Sequence, residues 1–403
     1  EETVDLDDKE WSLQWQHSLF AGENKTIQFG AFVQGKERDT AVYQAEGESE
    51  QSFTSWDQFS KTPLSLAGFN NEFEAAAGGV NKLEEDRLDV FALVKHEDQD
   101  FSWELGVRYE TTDSTITDKA EGVSAKNDYD FFLPSAHLRY NVSENGRVSA
   151  SVARSLRRPD FDYITPALLE KELGDNDFLG NPDLQPESSW GMDLGYEYRL
   201  GKSGVVGINV FYRDVTDLIE IANTGQQGSE GDGTYILQPR NTGDGNVKGI
   251  ELDLSTPLSA ISMPNTGVFF NYSWLDSEVD DTFGSRKFND QSDYVFNVGF
   301  IQDLPDLGAS FGATYRKQGD AYGRIVGEEV TTHYGADLEV FVEKRWQDVT
   351  LRLVGSNLLD ASKDETFNKF DTVDDQINRD FDEYELESEE AGPVIQLMLR
   401  YAF

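Results

Sequence analysis

The sequence predicts an all-β protein, specifically a transmembrane antiparallel β-barrel, and three observations indicate it. Stretches of alternating polarity recur along the 403 residues, while no window approaches the roughly 18 consecutive apolar residues that a membrane-spanning helix needs. The C-terminal segment PVIQLMLRYAF alternates strictly between an apolar and a mixed face over the length of a membrane-crossing strand. Short and long links alternate between the predicted strands, which is typical of outer-membrane barrels.

The alternation is clearest in residues 101–110, 190–199, 206–213 and 309–316. In each segment one face is apolar or aromatic, and the other face carries glycine and ionised side chains. A water-filled lumen accommodates such a second face better than a packed core does. A soluble β-sandwich also alternates, but its connections are short at both ends of the sheets, so the link pattern favours the barrel.

Long links mark the extracellular side, because counting back from the C-terminal strand, which ends at the periplasmic side, places every long link outside. Fifteen strands are predicted, near residues 11–21, 26–45, 87–96, 100–112, 129–141, 147–155, 189–200, 204–221, 234–258, 266–279, 290–302, 308–317, 332–345, 348–358 and 393–403. The predicted long extracellular loops are 46–86, 113–128, 157–188, 222–233, 280–289, 318–331 and 359–392.

Composition excludes several classes of function. The formal net charge of −42 leaves no basic patch for a phosphate backbone, so we expect no nucleic-acid partner. Cysteine is absent, which excludes disulfides, thiolate metal sites and cysteine nucleophiles. The four histidines are scattered without metal-ligand or catalytic spacing. We therefore expect neither an enzyme nor a required cofactor.

An ordered set of motifs in residues 148–403 resembles the C-terminal barrel half of TonB-dependent outer-membrane transporters. The matching pieces are Arg158-Pro159-Asp160-Phe161, the segment GNPDLQPE at 180–187, Phe211-Tyr212-Arg213-Asp214, Asn241-Thr242-Gly243, VKGIE at 247–251, GSNLLD at 355–360 and the terminal Phe403. The resemblance implies TonB-dependent active uptake of a scarce substrate (an oligosaccharide, siderophore, cofactor or peptide) across the outer membrane of a Gram-negative bacterium.

Family members are similar in having about 22 strands around an N-terminal plug, and this implies that the chain is the C-terminal portion of such a barrel. The fifteen predicted strands are an odd number, whereas bacterial barrels have an even one, and nothing in residues 1–86 resembles a plug. The N-terminus also lacks the basic and apolar regions of a signal peptide. We therefore expect the plug and the remaining strands to lie outside this chain. We also expect the TonB complex to bind that missing N-terminal region.

The alternative function is a passive porin of about 16 strands, whose size also suits this length. In either case we expect the apolar face to contact outer-membrane lipid and the loops to contact lipopolysaccharide. Tyr401 and Phe403 form the predicted membrane-insertion signal at the C-terminus.

Aromatic residues in two long loops are the candidate ligand contacts, since aromatic rings stack on sugars or catecholates. Packing of the loops against one another is the alternative. The candidates are Trp56, Phe59 and Phe69 in loop 46–86, and Phe161, Tyr163 and Phe178 in loop 157–188.

Carboxylates in two long loops are candidate calcium ligands, because Ca²⁺ prefers oxygen donors. They are Asp374, Asp375, Asp380 and Asp382 in loop 359–392, with Asp175 and Asp177 in loop 157–188 as a second group. Neither group has EF-hand spacing, and a solvated acidic loop is the alternative. The acidic loops favour a neutral or cationic substrate over an anionic one.

Overall fold

The computed structural model describes residues 2–44, 52–55, 58, 61, 74–120, 122–173, 176–231, 234–281 and 283–402. None of the helices in these ranges is long and apolar enough to cross a membrane. Two helices are short, α1 (Phe161–Ile164) and α2 (Val373–Asn378), and single 3₁₀ turns cover Ser259–Ile261 and Pro305–Leu307.

Strands make up most of the chain. In order they are β1 (Glu2–Phe20), β2 (Lys25–Gln44), β3 (Glu74–Glu97), β4 (Phe101–Asp118), β5 (Val123–Asn141), β6 (Gly146–Arg157), β7 (Leu168–Leu173), β8 (Asn176–Leu179), β9 (Glu187–Leu200), β10 (Gly204–Gln227), β11 (Tyr235–Leu258), β12 (Met263–Asp281), β13 (Gly284–Arg286), β14 (Gln291–Ser292), β15 (Tyr294–Leu304), β16 (Ala309–Gln318), β17 (Ala321–Ile325), β18 (Glu328–Tyr334), β19 (Asp337–Trp346), β20 (Val349–Ser356), β21 (Ser362–Lys369), β22 (Glu383–Glu390) and β23 (Val394–Tyr401).

Fifteen of these strands form one antiparallel wall in which each strand pairs with the next along the wall. The order is β1 to β6, then β9 to β12, β15, β16, β19, β20 and β23. These are the fifteen predicted strands, so the strand count and the antiparallel barrel architecture are confirmed. β1 and β23 are the two edges of the wall, and within the described residues they do not pair with each other.

The two faces of the wall differ as the alternation predicted. Leu88 and Val90 of β3 and Leu105 and Tyr109 of β4 point to one face and are 43–54% exposed. The alternate positions point to the opposite, lumenal face and include most of the charged residues of these strands; Asp89, for example, is fully buried. A soluble sandwich would bury the apolar face, so this distribution fits a wall surrounded by lipid.

The predicted long loops are shorter in the structure, because the wall strands continue pairing beyond the apolar band. β3 begins at Glu74 inside predicted loop 46–86, and β10 continues to Gln227 inside predicted loop 222–233. Predicted loop 359–392 contains the hairpin β21–β22, and predicted loop 318–331 contains most of the hairpin β17–β18. Both hairpins join β14 in a separate five-stranded sheet. Outside the membrane neither face must be apolar, so these strands lack the alternation on which the prediction depended.

The described residues between β6 and β9, 158–173 and 176–186, fold back over the lumenal face and are called the inner loop. Its Ile164 and Leu184 pack with Leu83 of β3, Ile116 of β4 and Ile219 of β10 in a buried apolar cluster. Predicted loop 157–188 is therefore a folded element that carries α1, β7 and β8.

Candidate functional site

A network of buried ion pairs occupies the lumenal face of β3 and β4. Arg87 donates to both carboxylate oxygens of Asp89 at 2.7 Å and to Glu110 at 2.8 Å. Arg108 donates to Asp89 at 2.7 Å, and Arg158 of the inner loop donates to Glu110. Both carboxylates are almost completely buried. Buried carboxylates require such pairing, so the network fixes the arginines on this wall.

Charged side chains of β1 and β2 hold α1 of the inner loop. Arg38 makes a bidentate pair with Asp8 at 2.7 and 2.9 Å and donates to Asp162 of α1 at 2.8 Å. The ring of Phe161 lies 5.2 Å from the guanidinium of Arg38 and 5.4 Å from the ammonium of Lys36. These ion-pair and cation–π contacts attach the inner loop to the wall.

The GNPDLQPE motif at 180–187 attaches the other end of the inner loop. The side-chain amide of Asn127 in β5 donates to the carbonyls of Pro182 and Leu184, and Asn241 in β11 exchanges two hydrogen bonds with the backbone of Gln185. A Cβ at Gly180 would lie 1.7 Å from the carbonyl oxygen of Thr165, so this position requires glycine. The motif therefore has a structural role in the described residues.

A second ion-pair network joins four strands at the outer end of the wall. Arg286 of β13 donates to Glu220 of β10 at 2.7 and 3.1 Å and to Asp281 of β12 at 2.7 Å. Arg324 of β17 also donates to Asp281, at 3.0 and 3.1 Å. Glu220 and Arg324 lie more than 40 residues from their partners, so the sequence alone does not reveal the network.

Three of the six candidate ligand aromatics, Trp56, Phe59 and Phe69, lie outside the described residues. Phe161 contacts the two cations described above. Tyr163 and Phe178 contact each other with ring centroids 6.0 Å apart, and Phe178 is buried. These three rings pack within the protein, as the loop-packing alternative expects, and ligand contact by the aromatics stays a prediction.

The candidate calcium ligands of predicted loop 359–392 lie around α2. Asp374 and Asp375 are in its first turn, where Thr372 caps the helix by accepting from the Asp375 amide at 3.1 Å. Asp380 follows the helix, and Asp382 accepts from the amide of Asp371 at 2.9 Å. Helix capping and turn formation explain these contacts without a metal.

Asp177 accepts from the amide and hydroxyl of Ser229 at 2.8 and 2.7 Å, while Asp175 is outside the described residues. Across the part of the chain that the structure describes, no group of three or more His, Asp or Glu side chains is arranged to hold a metal ion. Calcium in the acidic loops stays a prediction.

The C-terminal strand β23 pairs with β20, with Tyr401 opposite Val349. Ile395, Leu397 and Leu399 share the outward face with Tyr401 and are 68–74% exposed. Phe403, the other half of the predicted insertion signal, lies outside the described residues. The strand therefore presents the apolar face that the sequence predicted.

Comparison with known families gives a match between residues 3–359 and the family described as "TonB dependent receptor-like, beta-barrel". Among curated proteins, the chain is similar to the iron-regulated outer membrane virulence protein of Vibrio cholerae serotype O1, with 25% identity over 223 residues. That match covers 54% of this chain and 32% of the relative, so the chain matches about a third of that protein's length.

Three solved structures share the fold at low sequence identity. The siderophore receptor PiuA from Acinetobacter baumannii has a TM-score of 0.67 and 15% identity, covering 99% of this chain and 56% of that one. The ferric yersiniabactin uptake receptor FyuA from Yersinia pestis has a TM-score of 0.65 and 12% identity, covering 100% and 55%. The copper transporter OprC has a TM-score of 0.66 and 13% identity, covering 100% and 58%.

Proposed function

Because this chain belongs to the TonB-dependent receptor β-barrel family, we propose that it forms barrel wall in a transporter that takes up a scarce substrate with energy delivered by TonB. Proteins of this family are outer-membrane transporters of Gram-negative bacteria and not enzymes. The observation that carries the proposal is the wall itself. Its outward face is apolar and exposed, its lumenal face holds buried ion pairs, and the inner loop folds over the lumenal side.

A metal complex, such as an iron siderophore, is the substrate class that we propose. The curated relative is named for regulation by iron, and the three solved neighbours are named as receptors or transporters of a siderophore, ferric yersiniabactin and copper. On the lumenal wall, Arg87, Arg108 and Arg158 pair with Asp89 and Glu110, so this part of the wall lacks the excess of acidic groups found in the outer loops. The acidic outer loops favour a neutral or cationic substrate, but we do not extend that expectation to the lumen.

TonB and a plug domain are the partners that the family implies, and outer-membrane lipid is the partner of the apolar face. We propose that lipopolysaccharide contacts the rim above that face. Calcium bound by the acidic loops remains a separate proposal, tested by measuring whether chelation changes the melting temperature of the purified protein.

The transport proposal is tested by measuring uptake of radiolabelled iron complexes in a deletion strain and in the complemented strain. A panel of glycans is measured in the same strains for comparison. We expect uptake of one iron complex to require both this protein and TonB. Uptake that continues after TonB is deleted would contradict the proposal. The porin alternative predicts spontaneous conductance of the purified natural protein in planar bilayers, whereas we expect a closed lumen.

A further inference from the structure

A cavity of about 370 Å³ opens on the lumenal side of β3 to β6, where the inner loop begins. Its walls include Phe91, Arg108, Leu133, Arg154 and Arg158, and this cavity is called the arginine pocket. Ligand pockets in proteins span roughly 300–1,000 Å³ and combine apolar walls with a few convergent polar groups. The size and the lining of the arginine pocket match that description.

The arginines of the pocket keep hydrogen-bond donors without acceptors. The Nε atoms of Arg154 and Arg158 are buried and have no hydrogen-bond partner in the described part of the chain. Arg108 donates from Nη1 to Asp89, and its side chain remains 42% exposed. A buried donor without an acceptor costs free energy, and the half-exposed guanidinium of Arg108 keeps donors that an acceptor in the pocket can reach.

The carboxylates beside the pocket already have their full complement of guanidinium partners. Asp89 accepts from Arg87 and Arg108, and Glu110 accepts from Arg87 on one oxygen and from Arg158 on the other. Glu104 is the remaining acidic residue in the lining. The lining itself therefore holds three guanidiniums and two carboxylates, while Arg87, just outside it, faces Asp89 and the buried Glu85.

Aromatic rings hold two of the guanidiniums in place. The guanidinium of Arg108 lies 5.3 Å from the ring centre of Phe91, and that of Arg154 lies 5.4 Å from the ring centre of Phe131. Stacking on a phenyl ring fixes the guanidinium plane and shields it from water. Fixed, planar donors suit a carboxylate, which can accept two parallel hydrogen bonds from one guanidinium.

We propose that the arginine pocket binds the carboxylate group of a small organic anion. The claim that this anion is the transported substrate rests on the proposed function, whereas binding itself does not. The pocket lies on the lumenal wall beneath the outer strand ends, so it would hold an anionic group inside the lumen. A carboxylate side chain from another segment of the protein is the competing source of the same chemistry.

Binding of succinate by the purified natural full-length protein in detergent, measured by titration calorimetry, tests the proposal. Succinamide is the uncharged analogue of similar shape, and inorganic phosphate is the second anion. We expect Arg108→Gln and Arg154→Gln each to weaken succinate binding about tenfold or more, because each removes charge-assisted hydrogen bonds. Arg352→Gln is the matched control, since the Arg352 guanidinium also stacks on a ring, that of Phe341 at 4.1 Å, but lies elsewhere on the wall.

Succinate binding that is equal in the natural protein and both pocket variants would overturn the proposal. So would the absence of succinate binding by the natural protein, which is the result expected if a side chain of the protein already fills the pocket. Tighter binding of succinamide or phosphate would overturn the carboxylate assignment. Circular dichroism checks that each variant is folded. The binding assay does not involve TonB. A negative binding result would therefore not contradict the proposed uptake, and a negative uptake result would not contradict succinate binding.

Discussion

At the scale of single residues, two buried carboxylates organise the lumenal wall. Asp89 and Glu110 each accept hydrogen bonds from two arginines, and Arg87 joins them. The alternation in residues 101–110 predicted that Arg108 and Glu110 share the lumenal face. It could not predict that Arg158 reaches Glu110, because that contact depends on how the inner loop folds back.

Replacing one of these carboxylates should destabilise the wall strongly. Asp89→Asn removes the buried charge that pairs with Arg87 and with the half-exposed Arg108, and breaking a buried pair costs about 3–5 kcal/mol. The free energy of unfolding from lipid vesicles in urea measures the loss. Asp7→Asn is the control, because Asp7 is exposed and pairs with the exposed Lys9 at 3.0 Å; such surface pairs contribute about 0–1 kcal/mol. Equal effects of the two changes would contradict the role of the network.

Glu328 of β18 gives the outer sheet a pH dependence. Burial raises the pKa of this carboxyl above its ordinary value of 4.5; Lys369 opposes that shift and Glu385 adds to it. The folded state therefore binds the proton more tightly than the unfolded state. The resulting stability is fully present below the ordinary pKa and is lost as the pH rises through the raised pKa.

Hydrogen exchange of residues 321–334 measures this dependence at about pH 5 and about pH 8, after correction for intrinsic exchange rates. We expect faster local opening at the higher pH in the natural protein and a smaller difference in Glu328→Gln. The exposed Glu387 of β22 provides the control variant Glu387→Gln, which should behave like the natural protein. A pH dependence that survives in Glu328→Gln would assign the effect to other groups.

At the scale of elements, the inner loop is the least predictable part of the fold. The sequence marked GNPDLQPE as a motif but gave no partner for it, and Asn127 carries no local signal for its contacts with Pro182 and Leu184. α2 does have such a signal, since Thr372 is followed by acidic residues that suit the first turn of a helix. Loop 359–392 is acidic along much of its length, so the acidic residues after Thr372 do not stand out as the start of a helix.

Adding a single methyl group at Gly180 should displace the inner loop. The Cβ of Gly180→Ala would meet the carbonyl oxygen of Thr165 at 1.7 Å, and that oxygen belongs to rigid backbone. Overpacking of this kind costs about 1–3 kcal/mol. Limited proteolysis followed by mass spectrometry should show faster cleavage within residues 158–186. Gly207→Ala is the matched control, because its nearest neighbouring atom would be 3.9 Å away; an unchanged cleavage rate in Gly180→Ala would contradict the packing.

At the scale of the whole molecule, the wall is organised by the requirement that one face contact lipid. Fifteen strands could be predicted because lipid imposes a strict alternation on every strand that crosses it. The outer five-stranded sheet could not, since water imposes no such pattern. For the same reason, the predicted wall strands end near the apolar band, whereas in the structure they continue beyond it.

The two faces of β23 provide the sharpest test of this organisation, because adjacent residues lie on opposite sides of the wall. Leu397 lies opposite Leu353 of β20 on the outward face, whereas Gln396 points to the lumenal face, opposite Val354 of β20. An arginine on a lipid face near the bilayer midplane costs about 2–4 kcal/mol, while a lumenal arginine remains in a polar environment. In lipid vesicles, Leu397→Arg should therefore lower the free energy of unfolding far more than Gln396→Arg. In detergent micelles, where charged groups reach water more easily, the difference should shrink. Equal losses in vesicles would mean that the exposed apolar face does not contact lipid, and the membrane orientation of the whole wall would fail with it.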